Sequence, residues 1–149
     1  MTVKQKVYNH CLQVINSKIN ALQEVLAGLK ESGANETKST AGDKHETALA
    51  MLQIEQANIR EQLKEVQQQK AVLEKINPAL SPPVIVNGSL IKTNRGYFFL
   101  SIALGKAVVD GITVTALSQQ SPLGKQLLHL QTGQTVTVNG NHYFIESIA

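Results

Sequence analysis

The chain has 149 residues, 42 % of them hydrophobic and 17 % charged, with a formal net charge of +3. That balance excludes a disordered or fibrous chain, and 4 % aromatics with no Trp argue against one large aromatic core. Residues 1–77 carry ten basic and nine acidic side chains and residues 78–149 four and two, so neither half reads as a phosphate-tracking surface.

One cysteine, Cys11, cannot form an intramolecular disulfide, which suits a reducing compartment. The opening MTVKQKVYNH lacks the apolar core of a signal peptide. No run of about 18 apolar residues exists to span a membrane. The expectation is a cytoplasmic protein.

Two helical patterns occupy the first half. Tyr8, Leu12, Ile15, Ile19, Leu22, Leu26 and Leu29 follow one another at alternating spacings of four and three, an unbroken coiled-coil seam. Gly33 stands where this helix is expected to stop. The second seam is Leu49, Leu52, Gln56, Ile59, Leu63, Val66, Lys70 and Leu73, with Gln56 and Lys70 as polar interruptions. Polar residues in such seams fix register at some cost in stability. Neither helix can bury its stripe alone, so the two form an antiparallel hairpin with arms of roughly 40–50 Å. Its tip falls near 32–45, a segment rich in Ser, Thr, Gly, Asn and acids. Ser39 or Thr40 is placed to cap the second helix, with Asp43 and Glu46 near its positive end.

Composition changes near residue 78. Pro78, Pro82 and Pro83 forbid a continuing helix, so residues 78–83 are read as a linker between a helical hairpin at 1–77 and a β domain at 84–149. Strands are expected at Val84–Val86, Ser89–Thr93, Tyr97–Ala103, Ile112–Leu117, Thr135–Val138 and Tyr143–Ile148, with turns at Asn87-Gly88, Asn94-Arg95-Gly96 and Asn139-Gly140. Ser121-Pro122 opens a short helix through Leu128, serine capping and proline at the first helical position. The fold class is therefore α+β: a helical hairpin followed by a small antiparallel β domain with one short helix.

The run Ser121-Pro122-Leu123-Gly124-Lys125-Gln126-Leu127-Leu128, then Gly133, Val136-Thr137-Val138 and Tyr143-Phe144-Ile145, resembles the C-terminal signature of Gre transcription elongation factors. The architecture matches over essentially the whole chain, and the residues over about the last thirty-five. The resemblance implies an FK506-binding-protein-like β domain that docks on RNA polymerase, with Ser121, Pro122, Leu123 and Gly124 as partner-binding residues. It also implies a helical arm that enters the polymerase secondary channel. Acids at the tip would help hold a Mg²⁺ ion at the polymerase active site, so that a backtracked transcript is cleaved. Carboxylates suit that hard cation, and a second metal activates water and stabilises the departing oxygen. The chain would then be no enzyme itself and carry no cofactor of its own. It would meet nucleic acid only through the polymerase, act as a monomer and keep away from membranes; self-association through outer helix faces stays open.

The tip departs from the family. Cleavage-competent members carry an Asp and a Glu three residues apart in a GD-x-x-EN motif, whereas alignment here puts Glu36 at the first acid and Ser39 at the second. Asp43 and Glu46 have the three-residue spacing, but Lys38 and Lys44 sit among the acids. Asp43, Glu46 and Glu36 are the candidate tip carboxylates, Asp43 and Glu46 the candidates for the shared metal; the bland reading is that acids favour a helix's first turn. His45 beside them is more often a solvated helix residue. His10, His129 and His142 share no metal-ligand spacing with Cys11. Arg95, Lys106 and Lys125 are candidate rim charges. Three other functions compete: a non-cleaving Gre-fold modulator or inhibitor of the polymerase; from a different class, an FK506-binding-protein-like chaperone or isomerase; and, from a third class, a coiled-coil scaffold that oligomerises. An isomerase needs an aromatic-lined pocket, for which only Tyr97, Phe98, Phe99, Tyr143 and Phe144 are available.

Overall fold

The computed structural model describes residues 1–36 and 43–149, with side chains for 1–33 and 46–149. Two compact units emerge: Val14–Lys70, and Met1–Gln13 together with Ala71–Ala149. Among the described residues no helix is long and apolar enough to cross a membrane.

The unit Val14–Lys70 consists of the central parts of α1 (Val3–Glu36) and α2 (Asp43–Glu74). Within it Lys18, Ala21 and Leu22 share a shallow groove with Gln62, Glu65 and Val66, while Gln56 Nε2 lies 3.4 Å from the Leu29 carbonyl oxygen. Rising numbers on one helix meet falling numbers on the other, so the pair is antiparallel. Every residue of both seams is buried or half-buried, whereas most of their neighbours are exposed. Ile15 and Ile19 are buried, but Leu22 through Leu29 and Leu49 through Val66 are only half-buried. Two helices cover one stripe each and leave its flanks wet. Gln56 is half-buried in the seam and its bond to Leu29 is long, a weak tie of the kind that specifies register more than it stabilises. Helix α1 does not stop at Gly33 but runs to Glu36. A glycine inside a helix costs only about 1 kcal/mol, too little to end one by itself.

In the other unit, α1 begins at a capping box. Thr2 Oγ1 accepts from the Gln5 amide at 3.2 Å and Gln5 Oε1 accepts from the Thr2 amide at 3.0 Å. Val7, Cys11, Leu73 and Ile76 are buried. Lys4, also buried, donates to the Leu80 carbonyl, and burial lowers its pKa. Tyr8 donates its hydroxyl to the Leu73 carbonyl at 3.0 Å, and burial, then the Glu74 charge, push its pKa up. Lys6 reaches Asp110 at 3.2 Å, an exposed pair of little energetic weight.

Six strands follow: β1 Leu90–Thr93, β2 Gly96–Ser101, β3 Gly105–Val109, β4 Ile112–Ser118, β5 Thr135–Val138 and β6 Asn141–Ile148, with α3 (Pro122–Leu127) between β4 and β5. Their order is β3-β4-β2-β1-β6-β5. All neighbours are antiparallel except β2 and β4, which run parallel from Tyr97↔Val114 to Ser101↔Ser118. The chain leaves β2, forms β3 at the edge, and returns through the Asp110-Gly111 turn so that β4 slots between them. The strand β3 is not among those expected from sequence. Val84–Val86 is not a strand: Val84 makes one isolated bridge to Gln131, because Pro83 offers no amide and the Val86–Ser89 turn ends the segment. At that turn Gly88 has φ +101°, and a Cβ there would stand 2.6 Å from Ile76 Cγ2, so glycine lets the end of the helical segment close on the sheet.

One face of the sheet, with α3 against it, forms a core of Ile85, Ile91, Leu100, Leu117, Leu127 and Ile145, flanked by Phe98, Leu123, Leu128 and Val136. Side-chain alternation sends Leu90, Phe99, Val114 and Ala116 to the opposite face, where they are buried too.

Candidate functional site

Two helix ends bracket the tip. Glu36 is the last residue of α1 and Asp43 the first of α2. The side chains of Glu36, Asp43 and His45 lie outside the described residues, as do the expected caps Ser39 and Thr40. Glu46 is described and exposed, one turn into α2. Residues three apart on a helix share a face, so Asp43 and Glu46 start from neighbouring positions. Among the described residues no group of three or more His, Cys, Asp or Glu is placed to hold a metal ion.

The second candidate site is the start of α3. Ser121 (φ −66°, ψ 156°) is its cap: its hydroxyl accepts from the Gly124 amide at 3.0 Å and donates to the Ser118 carbonyl at 2.6 Å. Pro122 takes the first helical position and is exposed. Leu123 packs partly against the core. Gly124 is buried, and a Cβ on it would lie 2.1 Å from the Ser118 carbonyl oxygen. Of the four residues, Ser121 and Gly124 are committed to holding α3 against the end of β4, while Pro122 stays exposed and Leu123 half-buried.

The remaining candidates take structural places. Cys11 is buried, and burial pushes its thiol up to about 11, which keeps it protonated and unreactive at neutral pH. Phe99 is wholly buried, and Phe98 meets Tyr143 edge-on with ring centres 5.8 Å apart. His142 is exposed, its Nδ1 2.7 Å from the Thr137 hydroxyl. His129 is exposed with φ 71°.

Arg95, one of the candidate rim charges, belongs to a cluster that the sequence does not announce. The β1–β2 turn at Asn94 and Arg95 is fastened to β6, about fifty residues later. The Asn94 side chain donates to the His142 carbonyl at 3.3 Å and accepts from the Phe144 amide at 2.7 Å. Arg95 Nε donates to the same His142 carbonyl at 2.8 Å, and its guanidinium lies 5.6 Å from the centre of the Tyr143 ring. The local sequence announces only a turn; nothing in it says where the turn lands.

No protein-family model matches the chain, and no curated protein matches it. Among solved structures, one described as the structure of the transcription factor Gfh1 aligns over 95 % of this chain and 92 % of that chain, at 16 % identity and a TM-score of 0.32.

Proposed function

We propose that this chain is a Gre-type factor that binds RNA polymerase and works through its secondary channel. The observation that carries the reading is the antiparallel pair α1 and α2, of 34 and 32 residues, with Glu36 ending one helix and Asp43 opening the other. At 1.5 Å per residue each helix is about 50 Å long. Such an arm brings a few carboxylates to a reaction centre owned by another molecule. The Ser121-Pro122-Leu123-Gly124 start of α3, as in the Gre signature, supports the same reading.

In this mechanism the polymerase supplies the Mg²⁺ ions, which activate water and stabilise the leaving oxygen during phosphodiester hydrolysis. The chain's own work is positional. The two seams keep the arm straight, and Asp43 and Glu46 offer oxygen ligands from one helix face.

A second reading, a factor that occupies the channel without promoting cleavage, is favoured by the tip itself. Ser39 stands where the family's second acid is expected, and residues 30–47 hold three lysines against four acids. The test is a backtracked elongation complex from the matching polymerase, incubated with the protein and Mg²⁺. Shortened transcripts that vanish with Asp43→Ala and Glu46→Ala support the cleaving reading. Binding without shortening supports the modulator. Absence of binding refutes both.

A further inference from the structure

We infer that Arg95, held over Tyr143, is a docking point for an Asp or Glu side chain on a protein partner. The inference rests on the polymerase reading only for the partner's identity. Arg95 is exposed, yet it is not a free surface arginine. The turn that carries it is tied internally: the buried Thr93 hydroxyl donates to the Gly96 carbonyl at 2.9 Å and accepts from the Arg95 amide at 3.1 Å. Asn94 bonds β6 through its side chain and also through its amide, which donates to the Phe144 carbonyl at 3.3 Å. The guanidinium is then tied at Nε by the His142 carbonyl and lies 5.6 Å from the centre of the Tyr143 ring, which Phe98 meets edge-on. What remains is the Nη edge, for which no bond is found among the described residues.

Holding a guanidinium this way removes the rotamer entropy that makes an ordinary surface arginine a weak binder. The fork that is left presents two parallel N–H donors to a carboxylate. Charge points to the same occupant. Residues 84–149 contain four cations, Lys92, Arg95, Lys106 and Lys125, and two acids, Asp110 and Glu146. Asp110 lies 3.2 Å from Lys6 and Glu146 3.8 Å from Lys92, both in exposed pairs, and neither is bonded to Arg95. No side-chain carboxylate is paired with Arg95 among the described residues, so a partner's acid completes the fork. Nucleic acid is the poorer fit, because phosphate tracking sums several cations and residues 84–149 hold only four.

Two measurements on the full chain decide it. In the first, the Nε–H signals of the two arginines, Arg95 and Arg60, are followed by NMR while hexaglutamate, inorganic phosphate or a single-stranded oligonucleotide is added. The expected result is a shift of Arg95 with hexaglutamate well beyond that of Arg60, the internal control. An Arg95 shift no larger than that of Arg60, or a larger response to the oligonucleotide than to the peptide, overturns the inference. In the second, RNA polymerase affinity is compared for wild type, Arg95→Ala and Arg95→Lys. Both variants should bind about tenfold more weakly, since lysine keeps the charge but not the fork. Equal binding of wild type and Arg95→Ala overturns the inference while leaving the polymerase reading intact. If wild type fails to bind polymerase but hexaglutamate still shifts Arg95, the polymerase reading falls and the acid-docking site stands.

Discussion

Gly124→Ala sets two effects of opposite sign against each other, and the geometry decides between them. By helix propensity alone, alanine in α3 gains about 1 kcal/mol over glycine. The added Cβ, however, lies 2.1 Å from the Ser118 carbonyl oxygen, 2.8 Å from Ser121 Oγ and 3.0 Å from Gln119 Cα, where ordinary contact begins at 3.4 Å. The closest obstacle is backbone on the strand side, and the new atom is fixed to backbone on the helix side, so no rotamer change relieves it. Helix α3 must retreat by roughly 1 Å, which loosens Leu123 and Leu127 in the core and stretches the Ser121 cap. Overpacking of this kind costs up to about 3 kcal/mol. Losing the cap costs about 1 kcal/mol more, which roughly cancels the propensity gain. The expected net loss is about 1–3 kcal/mol. Urea unfolding followed by tyrosine fluorescence measures it, because Tyr8, Tyr97 and Tyr143 all belong to the unit that contains α3. The matched control is Gly28→Ala in α1, where nothing lies within 4 Å of the new Cβ. That variant should raise helix stability by about 1 kcal/mol when followed by circular dichroism. A Gly124→Ala protein as stable as wild type would refute the close approach of α3 to β4.

Three further outcomes are expected. Ser121→Ala should lower stability by about 1 kcal/mol in the same urea titration, through the lost cap on Gly124. Gln56→Leu should raise the thermal midpoint of the helical signal, by about 1 kcal/mol in stability, since a half-buried side chain with one 3.4 Å bond is exchanged for an apolar one; a fall of that size would show that the bond matters more than its length suggests. Native Cys11 should resist Ellman's reagent at pH 8 and react once the chain is unfolded. Its folded pKa, about 11, lies above the ordinary value of 9.0, so between those limits the unfolded state holds fewer protons and stability falls as pH rises. The stability difference between wild type and Cys11→Ala should therefore shrink across that window.

The helices were legible because their signal is repetitive. Fifteen seam positions, from Tyr8 to Leu29 and from Leu49 to Leu73, all fall on the less exposed face. The α3 start was legible because its cap is local: serine, proline and the capped amide lie within four residues. Thr135–Val138 and the Asn139-Gly140 turn follow equally local rules, with Asn139 at φ 51° and Gly140 at φ 79°. Strand β3 was missed although Asp110-Gly111 marks the same kind of turn, at φ 54° and 78°. Its Gly-Lys-Ala-Val-Val run alternates poorly, and an edge strand needs only one good neighbour. The parallel pairing of β2 with β4 has no local signal at all, because it is decided by how β3 loops around them. At the candidate site the acids could be named but not arranged, and the Arg95 cluster depends on contacts about fifty residues apart that no spacing rule reports.

The grouping of Met1–Gln13 with Ala71–Ala149 has a consequence for biosynthesis. The first thirteen residues leave the ribosome long before the strands with which they will share a unit. Lys4 waits for Leu80, Tyr8 for Leu73 and Lys6 for Asp110. Until then Val7 and Cys11 have no permanent shelter, and a fragment starting at residue 84 would lack the segments that share a compact unit with Leu90 and Phe99.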